Sequence, residues 1–397
     1  MTDRLYYADP YSAEFDATIV GVDRQGGRAL VRLDRTFFYP TSGGQPFDTG
    51  ALGGYRVVDV VEDAEGDVVH VVGEAPALLQ PGAHVHGAID WQRRFDHMQQ
   101  HTGQHVLSAA FDRLFQVRTV SFHLGVDSST IDLAREMTSR ELTAAEDEAN
   151  RVVWSNRPVS VRFVSAEEAA SLPLRKEPVR GGRLRLIDVE GFDLSACGGT
   201  HVARTGEIGV IAVTSWERFK GGQRLEFQCG RRALGRLRLL RDATDASAKL
   251  LSVTGAELPG AIEHLQTASQ EQRRALSVLH ADLARYRAAE LADAAESTPR
   301  GRLAMAAIDA DAGTLKAMAT AIVSRDGFIA VLASTARPAL VVVARSADVG
   351  VASQDVLARL TAKFGGRGGG KPDLAQGGGL DAPANVILAE ARVALSG

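Results

Sequence analysis

The chain has 397 residues, 45% hydrophobic and 24% charged, with a net charge of −4. That is enough for two or three soluble domains, and it excludes a global basic field, so any nucleic-acid contact must use local patches. Cys197 and Cys229 are the only cysteines, which excludes a disulfide framework and favours a reducing compartment. The start, MTDRLYYADPYSAEFD, carries no basic-then-apolar signal, and no apolar run approaches ~18 residues. A cytoplasmic protein without a membrane partner is expected.

Residues 1–90 read as a small β-barrel subdomain. Short alternating runs (FDATIVGVD, ALVRLD, YRVVDVVED, DVVHVVG, AHVHGAID) are separated by Gly and Asp turns, and closure is the natural way to protect so many edges. At Trp91 the period changes, and WQRRFDHMQQHTGQHVLSAAFDRLF predicts one long helix. A strand pair around SFHLGV and STIDLA follows, then a second helix in RELTAAEDEANRVVWSN. Strands dominate from Val159 to about Cys229, interrupted by CGGTH and by a hairpin turn at Lys220-Gly221-Gly222. Residues 91–232 therefore form an α+β unit. The segment 233–298 is helical in composition, with apolar residues at Ile262, Leu265, Ala268, Leu276, Leu279 and Leu283 among Arg and Glu. That stripe suits an antiparallel or dimeric coiled coil, and equally a helical hairpin packed on its own domain. From 299 to 397, the apolar runs LAMAAIDA, FIAVLAS and ALVVVAR alternate with helical stretches and predict a small α/β domain. The fold class is α+β overall.

HTGQH and CGGTH each place two metal-ligand side chains four positions apart: His101 with His105, and Cys197 with His201. A helix, or a turn of similar pitch, points such pairs the same way. Together they make a Cys/His₃ set, which suits one Zn²⁺ per chain in tetrahedral geometry. Spacing leaves an ambiguity, because His97 is also four residues from His101. The adjacent glycines of CGGTH let the backbone turn tightly beside a ligand. The metalloprotease reading fails, since the Glu of HExxH is replaced by Thr102. Four protein ligands normally close a structural site, whereas hydrolytic zinc keeps one position for water.

HTGQHVLSAAF and CGGTHVARTGEIG resemble the paired motifs of the alanyl-tRNA synthetase editing domain and of its freestanding relatives, the AlaX type. FFYPTSGGQPFDTG (Phe37 to Gly50) resembles that family's Gly-rich loop, IGVIAVTSWERFKGGQRLEFQCG has the same layout as its following strand, and GGRGGGKPDLAQGGG resembles the signature of its C-terminal DHH-associated domain. The resemblance covers nearly the whole chain and assigns the ligand pair to His101 and His105. In the synthetase, the aminoacylation region precedes the barrel, so the expectation is a long-form freestanding editor acting in trans.

The resemblance implies hydrolysis of the ester joining a wrong amino acid, serine and then glycine, to tRNA for alanine. A pocket discriminates one methyl group by only ~1–3 kcal/mol and rejects an added hydroxyl weakly, hence the need for a second sieve. Synthetase-embedded domains usually read HTATH, so Gln104 stands where a Thr often contacts the amino acid. Gln104 and Thr102 are the candidate catalytic and specificity residues. Gly43, Gly44, Gln45, Gly198, Gly199 and Thr200 are candidates for holding the ester and its oxyanion. Lys220 and Arg224, and in the C-terminal domain Arg367 and Lys371, are candidate tRNA phosphate partners. Gly365 through Lys371 nearly fits a P-loop, but Pro372 stands where Ser/Thr would hold Mg²⁺, so no nucleotide cofactor is expected. Asp96-His97-Met98 is an accidental echo of the DHH motif. The competing readings are a non-catalytic, zinc-stabilised tRNA-binding protein and a hydrolase of another ester; a homodimer would form through the helical or C-terminal segment.

Overall fold

The N-terminal alternation closes into a six-stranded barrel formed by β1 (Glu14–Gln25), β2 (Arg28–Leu33), β3 (Gly50–Leu52), β4 (Tyr55–Glu62), β5 (Val68–Val72) and β6 (His84–Ile89), ordered β1-β2-β5-β4-β3-β6. Phe15, Ala17, Ile19, Val31, Leu33, Val57, Val60 and Val85 fill it, as the period of two requires. The computed structural model describes residues 1–73, 78–175 and 183–396.

Helix α1 (Trp91–Phe115) starts at Asp90, whose carboxylate accepts the Arg93 N–H, and stops at Gln116 in a left-handed conformation (φ 55°). Every residue from His97 to Phe111 is buried, so this is a central helix rather than an amphipathic surface one. Strands β7 (Thr119–Leu124) and β8 (Ser129–Leu133) follow, then α2 (Ser139–Trp154), opened by a reciprocal Thr138/Glu141 cap. Next come β9 (Val159–Val164), β10 (Leu184–Val189) and β11 (Asp193–Ala196), which pair antiparallel as a three-stranded sheet. Strands β12 (Ile211–Phe219) and β13 (Gly222–Cys229) complete a second antiparallel sheet ordered β12-β13-β8-β7. Their connection carries positive φ at Lys220 (47°) and Gly221 (80°), the hairpin geometry that the sequence predicts.

Helix α1 packs with α2 and this second sheet in one core containing Leu107, Phe111, Leu142, Val153, Leu225 and Phe227. Gly103 explains how closely the helix sits on β13: a Cβ there would lie 2.3 Å from Cys229 Sγ. One turn away, the Gln100 amide both donates to Cys229 O (3.0 Å) and accepts from Cys229 N–H (2.8 Å), satisfying the strand end inside the core.

The chain divides into two units, Met1–Ala246 and Ser247–Gly397. Helix α3 (Gly230–Leu251) spans the division, and α4 (Leu258–Asp293) belongs to the second unit. Along α4 the predicted stripe is bare: Ile262, Leu265, Leu276, Leu279 and Leu283 are 45–61% exposed. Only its last turns, through Ala284, Ala288 and Ala292, are buried, in a core shared with Leu315, Met318 and Ile322 of α5 (Ala312–Val323). The remaining elements are β14 (Glu296–Thr298), β15 (Gly301–Ile308), β16 (Phe328–Ser334), β17 (Ala339–Arg345), α6 (Ser353–Phe364), β18 (Arg367–Gly370), β19 (Leu374–Leu380) and α7 (Ala384–Ser396). They form a six-stranded mixed sheet ordered β14-β15-β16-β17-β19-β18. Only β15 and β16 are parallel, joined through α5; the four residues between β16 and β17 are too few for a crossover, so that pair is antiparallel. Alternate strand residues feed two cores, Ala330 and Leu332 toward α5, Ile329 and Val331 toward α6 and α7. Among the described residues, no helix is long and apolar enough to cross a membrane.

Candidate metal centre

His101 and His105 project from the middle of α1, and the turn after β11 brings Cys197 and His201 to them. The four ligand atoms lie within 4.8 Å of one another. Cys197 Sγ is 3.3 Å from His101 Nε2 and 3.4 Å from His201 Nε2. The turn is held by Arg185, whose guanidinium donates to the carbonyls of Cys197 and Gly199, both at 2.8 Å. Gly199 is required by close approach, since a Cβ there would sit 2.1 Å from His101 Cε1.

Each imidazole is fixed from behind through Nδ1. His101 Nδ1 meets Gln45 Oε1 at 2.8 Å. That oxygen also accepts the Thr200 N–H (3.1 Å), while Gln45 Nε2 donates to Thr200 Oγ1 (2.9 Å); the amide orientation is thereby set, and His101 Nδ1 must be the donor. His105 Nδ1 meets Asp193 Oδ2 at 2.9 Å, and this carboxylate also receives Arg175 Nε (2.6 Å) and Ser195 Oγ. His201 Nδ1 lies 3.1 Å from Thr102 Oγ1, which accepts the Val202 N–H. His101 and His105 face acceptors at Nδ1, so their Nε2 lone pairs are free to point at a common ion, while the Thr102 hydroxyl fixes the orientation of the His201 ring. The cluster could therefore hold a metal ion.

Without an ion, burial alone would raise the Cys197 thiol, but the adjacent His101 and His201 rings override it and hold the thiol well below its usual range. Burial lowers His105, yet its bond to Asp193 and the nearby Cys197 push it up to about 9. His201 is lowered to about 3, first by burial and then by His101. Burial also lowers His97 to about 3, helped by Arg93 and Arg232. His97 stands outside the cluster, one helical turn before His101, so the structure brings together the pair that the resemblance assigned.

A cavity of about 130 Å³ opens beside the cluster, lined by His101, His105, Cys197, Gln104 and Gly43, with Thr119, Phe122 and Arg175 among its other walls. Gln104 donates from Nε2 to Ser108 Oγ (2.8 Å), which also receives Thr119 Oγ1 (2.8 Å). Thr102, Gln45 and Thr200 stand behind the ligands instead. Gly44 lies over Phe122, where a Cβ would come within 2.9 Å, and Gly198 is exposed near Tyr7. On the hairpin, Arg224 is bound by both oxygens of Asp132 (2.7 and 2.8 Å) and stacks 3.6 Å over Phe219, while Lys220 is exposed at the turn. In the second unit, Arg367 begins the exposed edge strand β18, and Lys371 closes its turn onto Leu374. That Gly-rich run is a β-hairpin, not a loop leading into a helix. Sequence reasoning missed Asp193 and Arg175; the available signal was an acid four residues before Cys197 in a strand otherwise apolar or small.

The family described as "Threonyl and Alanyl tRNA synthetase second additional domain" matches residues 184–226, which contain CGGTH. The "tRNA synthetases class II (A)" family matches 10–93, and the DHHA1 domain matches 300–394. An alanine–tRNA ligase of Methanoregula boonei is 34% identical over 97% of this chain, and one of Halobacterium salinarum is 38% identical over 96%. The chain is alanyl-tRNA synthetase-like. It is also homologous to the alanyl-tRNA editing protein AlaX-L of Pyrococcus horikoshii, at 36% identity over 61% of this chain and 62% of that protein. The chain spans only 43% and 42% of the two ligases. The solved C-Ala domain from Aquifex aeolicus alanyl-tRNA synthetase aligns over 26% of this chain and 94% of its own, at 24% identity and a TM-score of 0.23, too low to compare folds.

Proposed function

We propose that the chain hydrolyses the ester of tRNA for alanine carrying serine, with glycine as the second substrate, at a site holding one Zn²⁺. The observation that carries this reading is the meeting of four ligands beside an amino-acid-sized pocket. Zinc is supported by the donor set and its spacing. Bonds of about 2.3 Å to sulfur and 2.0–2.1 Å to nitrogen at tetrahedral angles separate the two donors by about 3.5 Å, near the 3.3 and 3.4 Å found here. His101, His105, Cys197 and His201 would hold the ion, which supplies fixed positive charge next to the reacting ester.

The protein's own groups divide the remaining work. Gln104 spends Nε2 on Ser108, which leaves Oε1 to accept from the serine hydroxyl or the ammonium group. Gly43 keeps that side of the cavity open for the ester, with Gly44 packed behind it on Phe122. Gln45, Thr200 and Thr102 act through the imidazoles they orient, while Gly199 gives the turn its close approach and Gly198 stands exposed beside it. Lys220, Arg224, Arg367 and Lys371 are proposed phosphate contacts, Arg224 the weakest because Asp132 already neutralises it. The proposed division is 1–90 barrel, 91–232 editing core, 233–298 helical linker and 299–397 DHH-associated-like domain, in the cytoplasm. The bare stripe on α4 is proposed to pair with a second copy; a light-scattering mass that stays at one chain as concentration rises would exclude this.

A second reading is favoured by the ligand count: four protein donors suit a closed, structural ion, and the protein would then bind tRNA without turnover. Measuring deacylation of seryl-tRNA for alanine, beside the alanyl form and an unrelated seryl-tRNA, separates them. Selective acceleration on the first is expected, and buffer-level rates on all three would leave only the binding protein.

A further inference from the structure

The cavity beside the metal cluster is too small for a nucleotide. Pockets that enclose a drug-sized ligand measure about 300–1,000 Å³, against about 130 Å³ here. An aminoacyl group fits; the nucleoside that carries it must lie outside. A second cavity of about 110 Å³ adjoins the first, sharing Thr119, Val120 and Arg175 with it; among the described residues its other walls are Arg118 and Asp112.

The two arginines differ in what remains for a ligand. Arg175 is committed to the buried Asp193 carboxylate. Arg118 is exposed, and among the described residues its guanidinium has no hydrogen bond or ion pair. Its backbone is fixed, because its carbonyl accepts the Ala134 N–H at 3.0 Å, so the free cation is mounted at the root of β7. Val120, its neighbour but one, is 65% exposed at the boundary of the two cavities. An unpaired guanidinium over a small polar cavity, next to an apolar rim and an ester-sized pocket, matches a ribose with its phosphate: planar donors for the phosphate and an apolar lip for the sugar or base.

We infer that Arg118 forms a phosphate subsite beside the metal pocket, taking the 5′-phosphate of the nucleotide whose ribose carries the ester. This rests on the deacylase reading above. Asp112 shares the cavity and opposes the anion.

The test uses the metal-loaded full chain on seryl-tRNA. Arg118→Gln is expected to raise KM about tenfold with little change in kcat, and to reduce the log–log salt slope by about one. Asp112→Asn is expected to lower KM. Metal content and circular dichroism of both variants should match the parent. Seryl adenosine with and without a 5′-phosphate then locates the contact: the parent should prefer the phosphorylated ester, and Arg118→Gln should lose that preference. An unchanged KM and salt slope in Arg118→Gln would overturn the inference, as would a preference for the 5′-phosphate that survives the substitution. Failure of the parent on seryl-tRNA would overturn the deacylase reading itself.

Discussion

Cys197→Ala is expected to remove the metal and the deacylation together. The sulfur lies within 3.4 Å of Nε2 of both His101 and His201, and it would supply the negative charge that a divalent ion shares with three neutral imidazoles. Losing a bonded ligand should weaken retention by more than the ten- to hundredfold that an outer partner costs. Asp193→Ala is the graded companion, expected within that ten- to hundredfold range. It leaves His105 bonded to nothing on its Nδ1 side and strands Arg175, whose charge it pairs. Metal content after dialysis and chelator competition read both effects. Full stoichiometric zinc in Cys197→Ala would mean the ligand set is wrong, and parental affinity in Asp193→Ala would mean that the carboxylate does not orient the site.

Asp48→Ala is expected to destabilise the first unit by about 3–5 kcal/mol, the range for leaving a buried charge without its partner. Asp48 and Arg94 are both fully buried. The carboxylate binds Arg94 Nε through both oxygens and accepts the Tyr39 N–H, while Arg94 also donates to the carbonyls of Pro10 and Phe37. One ion pair thus joins the start of α1 to the loop that carries Gly43, Gly44 and Gln45. An apolar pair such as Asp48→Leu with Arg94→Met should recover only part of the loss, because those carbonyls and the amide would remain unpaired. Trp91, Trp154 and Trp216 all lie in the first unit, so tryptophan fluorescence during denaturant unfolding reports it selectively. A midpoint within about 0.5 kcal/mol of the parent, the scatter of neutral surface changes, would refute the assignment.

Much of the fold was legible because it is periodic. The barrel strands alternate at two, α1 has no Pro in its 25 residues, and the hairpin turn is marked by Gly221, at positive φ. The α4 stripe was equally legible as a helix, but not as an exposed one. Apolar residues at helical spacing announce a face without saying what covers it, and in this chain Leu265 and Leu279 are left more than half exposed.

The site divides in the same way. Two side chains four apart on a helix must share a face, so HTGQH announced itself as a ligand pair from local geometry, whereas CGGTH did so by its paired glycines and folds as a turn after β11. Choosing His105 over His97 lay beyond spacing, because each stands one turn from His101 and only the place where Cys197 arrives tells the two ends of α1 apart. The same holds for Thr102 and Gln45. The sequence marked them as pocket groups, whereas the packing sets Thr102 behind His201 and Gln45 behind His101. Asp193 carried no motif at all; its role follows from β11 arriving beside α1. Spacing along a backbone is fixed by helix and strand geometry and can be read one segment at a time. Which groups meet in the cluster is fixed by the approach of segments 96 residues apart, and only the packed core decides that.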